Sequence, residues 1–180
     1  MLYKETEEIR KMPSKNDRIK KQKELLSKIA ADVNEDVRAK AVKLDQANYP
    51  GYLPSTWYSL FQKRFLRHTG EKEEEMFFLN PSGWLKGLQL NGELKKDTEF
   101  ISRLKTVCLT LRKLAKKKNE GDVHLLGEIA AEAKVPVEWL ANVIDSESIE
   151  YRFNKIGITW MNENNNSVFI PPNFGFSKSA

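Results

Sequence analysis

The chain predicts a mainly helical α+β fold, and three observations carry that reading. Apolar residues recur at helical spacing over 95–118 and again near the N-terminus. Two short helical patterns meet at a tight turn around Lys134. Two strand-like runs, Ile158–Met161 and Val168–Ile170, flank an asparagine-rich turn. The division expected is a flexible arm over 1–14, a helical domain over 15–94 and a C-terminal domain over 95–180.

Composition sets the bounds. The chain has 180 residues, enough for one domain or two small ones, and 40 % are hydrophobic, enough for a core. No apolar run approaches the roughly 20 residues of a membrane-spanning helix, so no membrane partner is expected. The N-terminus lacks the apolar segment of a signal peptide. Cys108 stands alone and can form no internal disulfide, which points to a reducing, cytoplasmic setting. The net charge of +5 is unevenly spread. Residues 123–180 carry four bases against seven acids, whereas 1–122 carry 26 against 18.

Taken in order, Pro13-Ser14 precedes a helix with Ile19, Leu26, Ile29 and Val33 on one face. The segment Leu25–Leu44 resembles one HEAT repeat, with Asp32, Val37 and Arg38 in the family's turn positions and Asn34 as a cap. A solenoid needs several such units and only one copy is present, so the helix pair is kept and the repeat architecture rejected. Asn48–Pro54 holds two prolines and a glycine and breaks the helical pattern. A helix Thr56–His68, capped by Ser55, is expected next. Trp57, Leu60, Phe61 and Phe65 form its apolar face, and Gln62, Lys63, Arg64 and Arg67 its polar one.

The glutamates of 71–75 sit in a polar loop with no His or Cys nearby, a poor metal site. Met76–Leu79 reads as a strand. Asn80-Pro81 reads as a helix start with Asn as the cap, and Asn91-Gly92 as its end. Lys95–Lys118 is the clearest helix, with Phe100, Ile101, Leu104, Val107, Cys108, Leu111, Leu114 and Ala115 inward. Cys108 on that stripe reads as a small buried hydrophobe. Asn119–Asp122 ends the helix, and Asp122 with His124 is expected to open the next one.

IAAEAKVPVEWLANVI, from Ile129 to Ile144, resembles the helix-turn-helix of bacterial transcriptional regulators. Ala130–Ala133 are small where two helices cross, Val135 plugs the turn, and Leu140, Val143 and Ile144 point inward. Lys134 stands where that family often has a left-handed glycine. The following hairpin extends the resemblance to the winged-helix superfamily over about 98–172. Leu79, Asn80 and Gly83 match, with Asn80 for Thr, the L-T-x-x-G turn by which such proteins leave the wing. Residues 34–91 are therefore either a second, divergent winged helix or a plain helical domain with a small hairpin.

The resemblance implies a binding module with DNA as its partner. Asn142 can pair with adenine and Glu138 can accept from cytosine. Lys134, Arg152 and Lys155 are the nearest phosphate partners, Asn164 and Asn165 can reach a minor groove, and Lys63, Arg64 and Arg67 can add phosphate or guanine contacts. Yet 136–145 contains no Arg or Lys, and its surroundings are acidic, which disfavours groove entry by this helix alone. The other reading is a protein-interaction or assembly module on the same scaffold, with an exposed Trp139 as anchor and self-association open to it. No catalytic residues, cofactor or metal are expected. His68 and His124 are the only histidines, and there is no phosphate-cradling glycine loop and no paired metal-ligand spacing.

Overall fold

Helix α1 (Lys15–Asp32) begins at Ser14, whose hydroxyl accepts from the Asp17 amide at 3.1 Å while the Asp17 carboxylate accepts from the Ser14 amide at 3.1 Å. This reciprocal pair satisfies two of the donors that a helix start leaves open. The computed structural model describes residues 13–33, 43–69, 76–94, 98–115, 121–144, 158–162 and 166–177. The first half continues as β1 (Lys43–Leu44), a 3₁₀ turn (Gln46–Asn48), α2 (Pro54–Gln62), β2 (Leu66–Thr69), β3 (Met76–Leu79) and α3 (Pro81–Leu90). The second half follows with α4 (Glu99–Ala115), β4 (Asp122–Leu125), α5 (Leu126–Ala133), α6 (Val137–Ile144), β5 (Thr159–Asn162) and β6 (Ser167–Ile170). The fold is α+β, with six α-helices among the described residues and two small antiparallel sheets. None of those helices is long and apolar enough to cross a membrane.

The two halves repeat one plan. Each opens on a long helix, adds an edge strand, passes through further helix and returns as an antiparallel pair of strands. Each sheet has its third strand in the middle, in the orders β1-β3-β2 and β4-β6-β5. In the first, Lys43 faces Phe78 and Leu66 faces Leu79. In the second, Val123 faces Phe169, and Trp160 faces Val168 with a register irregularity between Trp160 and Asn162.

Helix α3 is the centre of the first half. All of Pro81–Leu88 is buried, which a helix tolerates only when neighbours enclose it on every side. It crosses α1 closely, because a Cβ on Gly87 would lie 2.2 Å from the Ala30 Cβ. Asn80 does not cap α3 with its side chain, as expected, but donates to the Arg64 carbonyl at 3.0 Å. Ser82 donates to the same oxygen at 2.5 Å.

Those contacts fix the end of α2, where the structure departs most from expectation. The helix does not run from a Ser55 cap to His68. It starts with Pro54 in the first turn, where no amide donor is needed, and stops at Gln62. Arg64 takes a left-handed conformation, φ 62°, and Phe65 N–H reaches back to the Leu60 carbonyl. Residues 66–69 then pair with β3, and the strand partner outweighs any tendency to continue the helix. Leu44 is likewise on strand β1 rather than on the second helix of a HEAT-like pair; Asn34, Val37, Arg38 and Ala41 lie outside the described residues. Asp122 and His124 belong to strand β4, and α5 starts only at Leu126.

The buried side chains of both halves form one core. A relay of rings runs from Trp84 on α3 to Phe100 on α4, 6.5 Å apart, and on to Trp139 on α6 at 5.9 Å. After β6 the chain folds back. Phe174 and Phe176 are fully buried, the Gly175 amide donates to the Lys63 carbonyl at 2.9 Å, and Arg112 on α4 donates to the Phe174 carbonyl.

Candidate nucleic-acid interface

Helices α5 and α6 meet at Lys134, which is left-handed with φ 56°. The Val135 amide donates to the Ala130 carbonyl and the Lys134 amide to that of Ala131. This pair of bonds is the Schellman termination that glycine favours. Gly92 ends α3 with the same two bonds, from Glu93 to Leu88 and from Gly92 to Gln89. Ala130, Ala133, Val135, Leu140 and Val143 are buried, as the sequence indicates; the Ile144 side chain lies outside the described residues.

The outward face is poor in positive charge. Glu138 and Asn142, one turn apart on α6, are exposed, as is Lys134. Over 121–144 there are four acids and one lysine. Glu132 on α5 pairs with Lys113 of α4, and Glu99 pairs with Arg103, so two cations of α4 are already engaged. Trp139 is not the exposed anchor expected. It is half-buried, with its ring against Phe100 and the Arg103 guanidinium 5.8 Å from its centre. Arg152, Lys155, Asn164 and Asn165 lie outside the described residues.

The basic set of the first half is rearranged by the early end of α2. Lys63, Arg64 and Arg67 do not line one helix face: Lys63 and Arg64 form the turn, and Arg67 is on β2. Arg64 stacks over Phe61 at 5.7 Å and Arg67 over Phe78 at 5.2 Å, distances at which a guanidinium is attracted to a ring face. Burial lowers the pKa of both. Lys63 turns to a cavity, where its amine donates to Gln22 Oε1 at 2.5 Å. Lys23, Lys86 and Arg112 line the same cavity. Nothing in the sequence joins these residues, since they come from α1, α3 and α4; only Lys86, alone in the apolar run PSGWLKGL, carries a signal.

Exposed cations concentrate on α1, where Lys15, Arg18, Lys20, Lys21, Lys23 and Lys28 all face solvent. Lys21 is paired with Glu24 at 3.1 Å. His68 lies among Tyr58, Phe61 and Phe77, with the Phe77 ring 5.0 Å away. His124 Nε2 is 3.4 Å from the Asp122 carboxylate, on a different sheet. Cys108 is fully buried, and burial pushes its thiol pKa up, away from the thiolate form that reacts. No group of three or more metal-ligating side chains occurs among the described residues. The chain matches no family model, no curated protein and no solved structure.

Proposed function

We propose that the chain is a non-catalytic nucleic-acid-binding protein, with a winged helix over about 98–172 and a divergent second one in the first half. The observation that carries this reading is the junction at Lys134, where two helices with small residues at their crossing lead on to a paired hairpin. The repeated plan of the two halves supports the tandem arrangement. Charge then assigns the roles. Phosphates are held by clustered cations, and α1 offers six exposed ones whereas the α5–α6 surface is acidic. DNA therefore docks on the first half, with Arg64, Arg67 and α1 contacting phosphates. Lys134 and Asn142, exposed on the second half, add weaker contacts, and Glu138 opposes deep entry of α6.

Fluorescence anisotropy with a mixed-sequence duplex tests this directly. Binding should weaken by about tenfold or more between about 50 and 200 mM salt. Absence of binding at the lower salt would refute it.

A specific observation favours a second reading, a protein-interaction module. Val123 and Leu125 on β4 and Met161 on β5 are 48 %, 47 % and 59 % exposed, on the two edge strands of one sheet. Exposed apolar residues clustered in this way mark contact surfaces. If this reading holds, Val123→Ser with Met161→Ser abolishes partner binding and leaves DNA affinity unchanged.

A further inference from the structure

We propose that the half-open cavity bordered by α1, α2, α3 and α4 binds a small phosphorylated molecule. The site does not depend on the nucleic-acid reading. Four cations from four separate segments converge on it: Lys23, Lys63, Lys86 and Arg112. No carboxylate occurs among its described lining residues. Its volume is about 500 Å³, within the range of small-molecule sites, and it lies where the two halves meet, a usual place for such sites. Leu60 and Phe65 supply part of an apolar wall. The ligand is therefore an anion with an uncharged body.

The cations are held as a binding site would hold them. Lys86 is only 9 % exposed, and its amine donates to Gln89 Oε1 at 2.7 Å. Lys63 donates to Gln22. The Gln22 amide orients the Lys63 ammonium without neutralising it. Arg112 is held by the Phe174 carbonyl, and its Nε is buried with no hydrogen-bond partner among the described residues. Like charges grouped at a partly buried site repel one another until an anion joins them. Burial, then Lys23, then Arg112 lower the pKa of both Lys63 and Lys86, which is the mark of that cost. A phosphate group restores the balance, and charge-assisted hydrogen bonds to lysine and arginine are among the stronger ones.

Isothermal titration calorimetry of the full chain with inorganic pyrophosphate and with adenosine 5′-monophosphate, at constant ionic strength, tests the proposal. Binding is expected with a Kd below about 1 mM for at least one probe. The Lys63→Gln/Lys86→Gln double variant should bind about tenfold more weakly or worse. Lys23 is exposed, so Lys23→Gln keeps the fold, and it should weaken binding about threefold. Three outcomes would overturn the proposal: no heat with either probe, heat matched by sodium chloride, or unchanged affinity in both variants. A fourth outcome also overturns it and assigns the cations to a nucleic-acid backbone instead: duplex affinity falls in the variants while neither small probe binds. Failure of duplex binding with pyrophosphate bound would leave this site standing and remove only the nucleic-acid reading.

Discussion

Lys134 and Arg64 hold left-handed backbone conformations that Gly92 adopts without strain. The left-handed region costs an L residue about 1 kcal/mol or more, whereas glycine enters it freely. Lys134→Gly should therefore raise stability by about 0.5–1 kcal/mol, read as a higher denaturation midpoint at unchanged slope. Tyr49 gives a pH signature. Burial and then the Asp32 carboxylate, which accepts from its hydroxyl, raise its pKa from 10.0 to about 12. A raised pKa in the folded state means stability that is complete below pH 10.0 and is lost as pH climbs toward about 12. The stability gap between the native chain and Tyr49→Phe should shrink across that window. The left-handed turn at Lys134 was legible because the surrounding helix-turn-helix spacing demands it. Arg64 was not, because its conformation depends on Asn80 and Ser82, which reach its carbonyl from 16 and 18 residues away.

Among the elements, those that announce themselves by period or cap were legible. Helix α4 shows a broad apolar stripe, α1 follows Pro13-Ser14, and α3 lies between Asn80-Pro81 and Asn91-Gly92. The short strands β1, β2 and β4 were not, since what makes them strands is their partner across the sheet. On β4 the local pattern even runs inverted, with Val123 and Leu125 outward and Asp122 and His124 half-buried. Close approach between elements was equally hidden. Gly87→Ala would press a methyl into Ala30 at the α1–α3 crossing, and overpacking of this kind should destabilise the chain by about 1–3 kcal/mol. Gly175→Ala would place a Cβ 2.5 Å from the Lys63 carbonyl. The tail should then undock, and pyrophosphate affinity should fall with it, because Gly175 also borders the cavity. Thermal melts and calorimetry of the two variants separate the effects: Gly87→Ala lowers stability, while Gly175→Ala lowers both.

At the scale of the whole molecule, charge is divided between the halves. The sequence exposes this division as a basic 1–122 and an acidic 123–180. It does not reveal that the cations divide further into an exposed set on α1 and a set lining the cavity, with Lys23 in both, because that division follows from how α1, α3 and α4 pack. The same packing ties the halves together through Trp84, Phe100 and Trp139, and through the returning tail. If nucleic acid docks on the first half, the cations of α1 set the slope of log affinity against log salt. Each phosphate contact contributes about −0.9 to that slope on duplex DNA. Replacing both Lys15 and Lys20 with glutamine should make the slope shallower by about two, while Glu138→Gln should leave it unchanged. A slope that stays the same in the double lysine variant, or duplex affinity that does not respond to salt at all, would rule out docking on the first half.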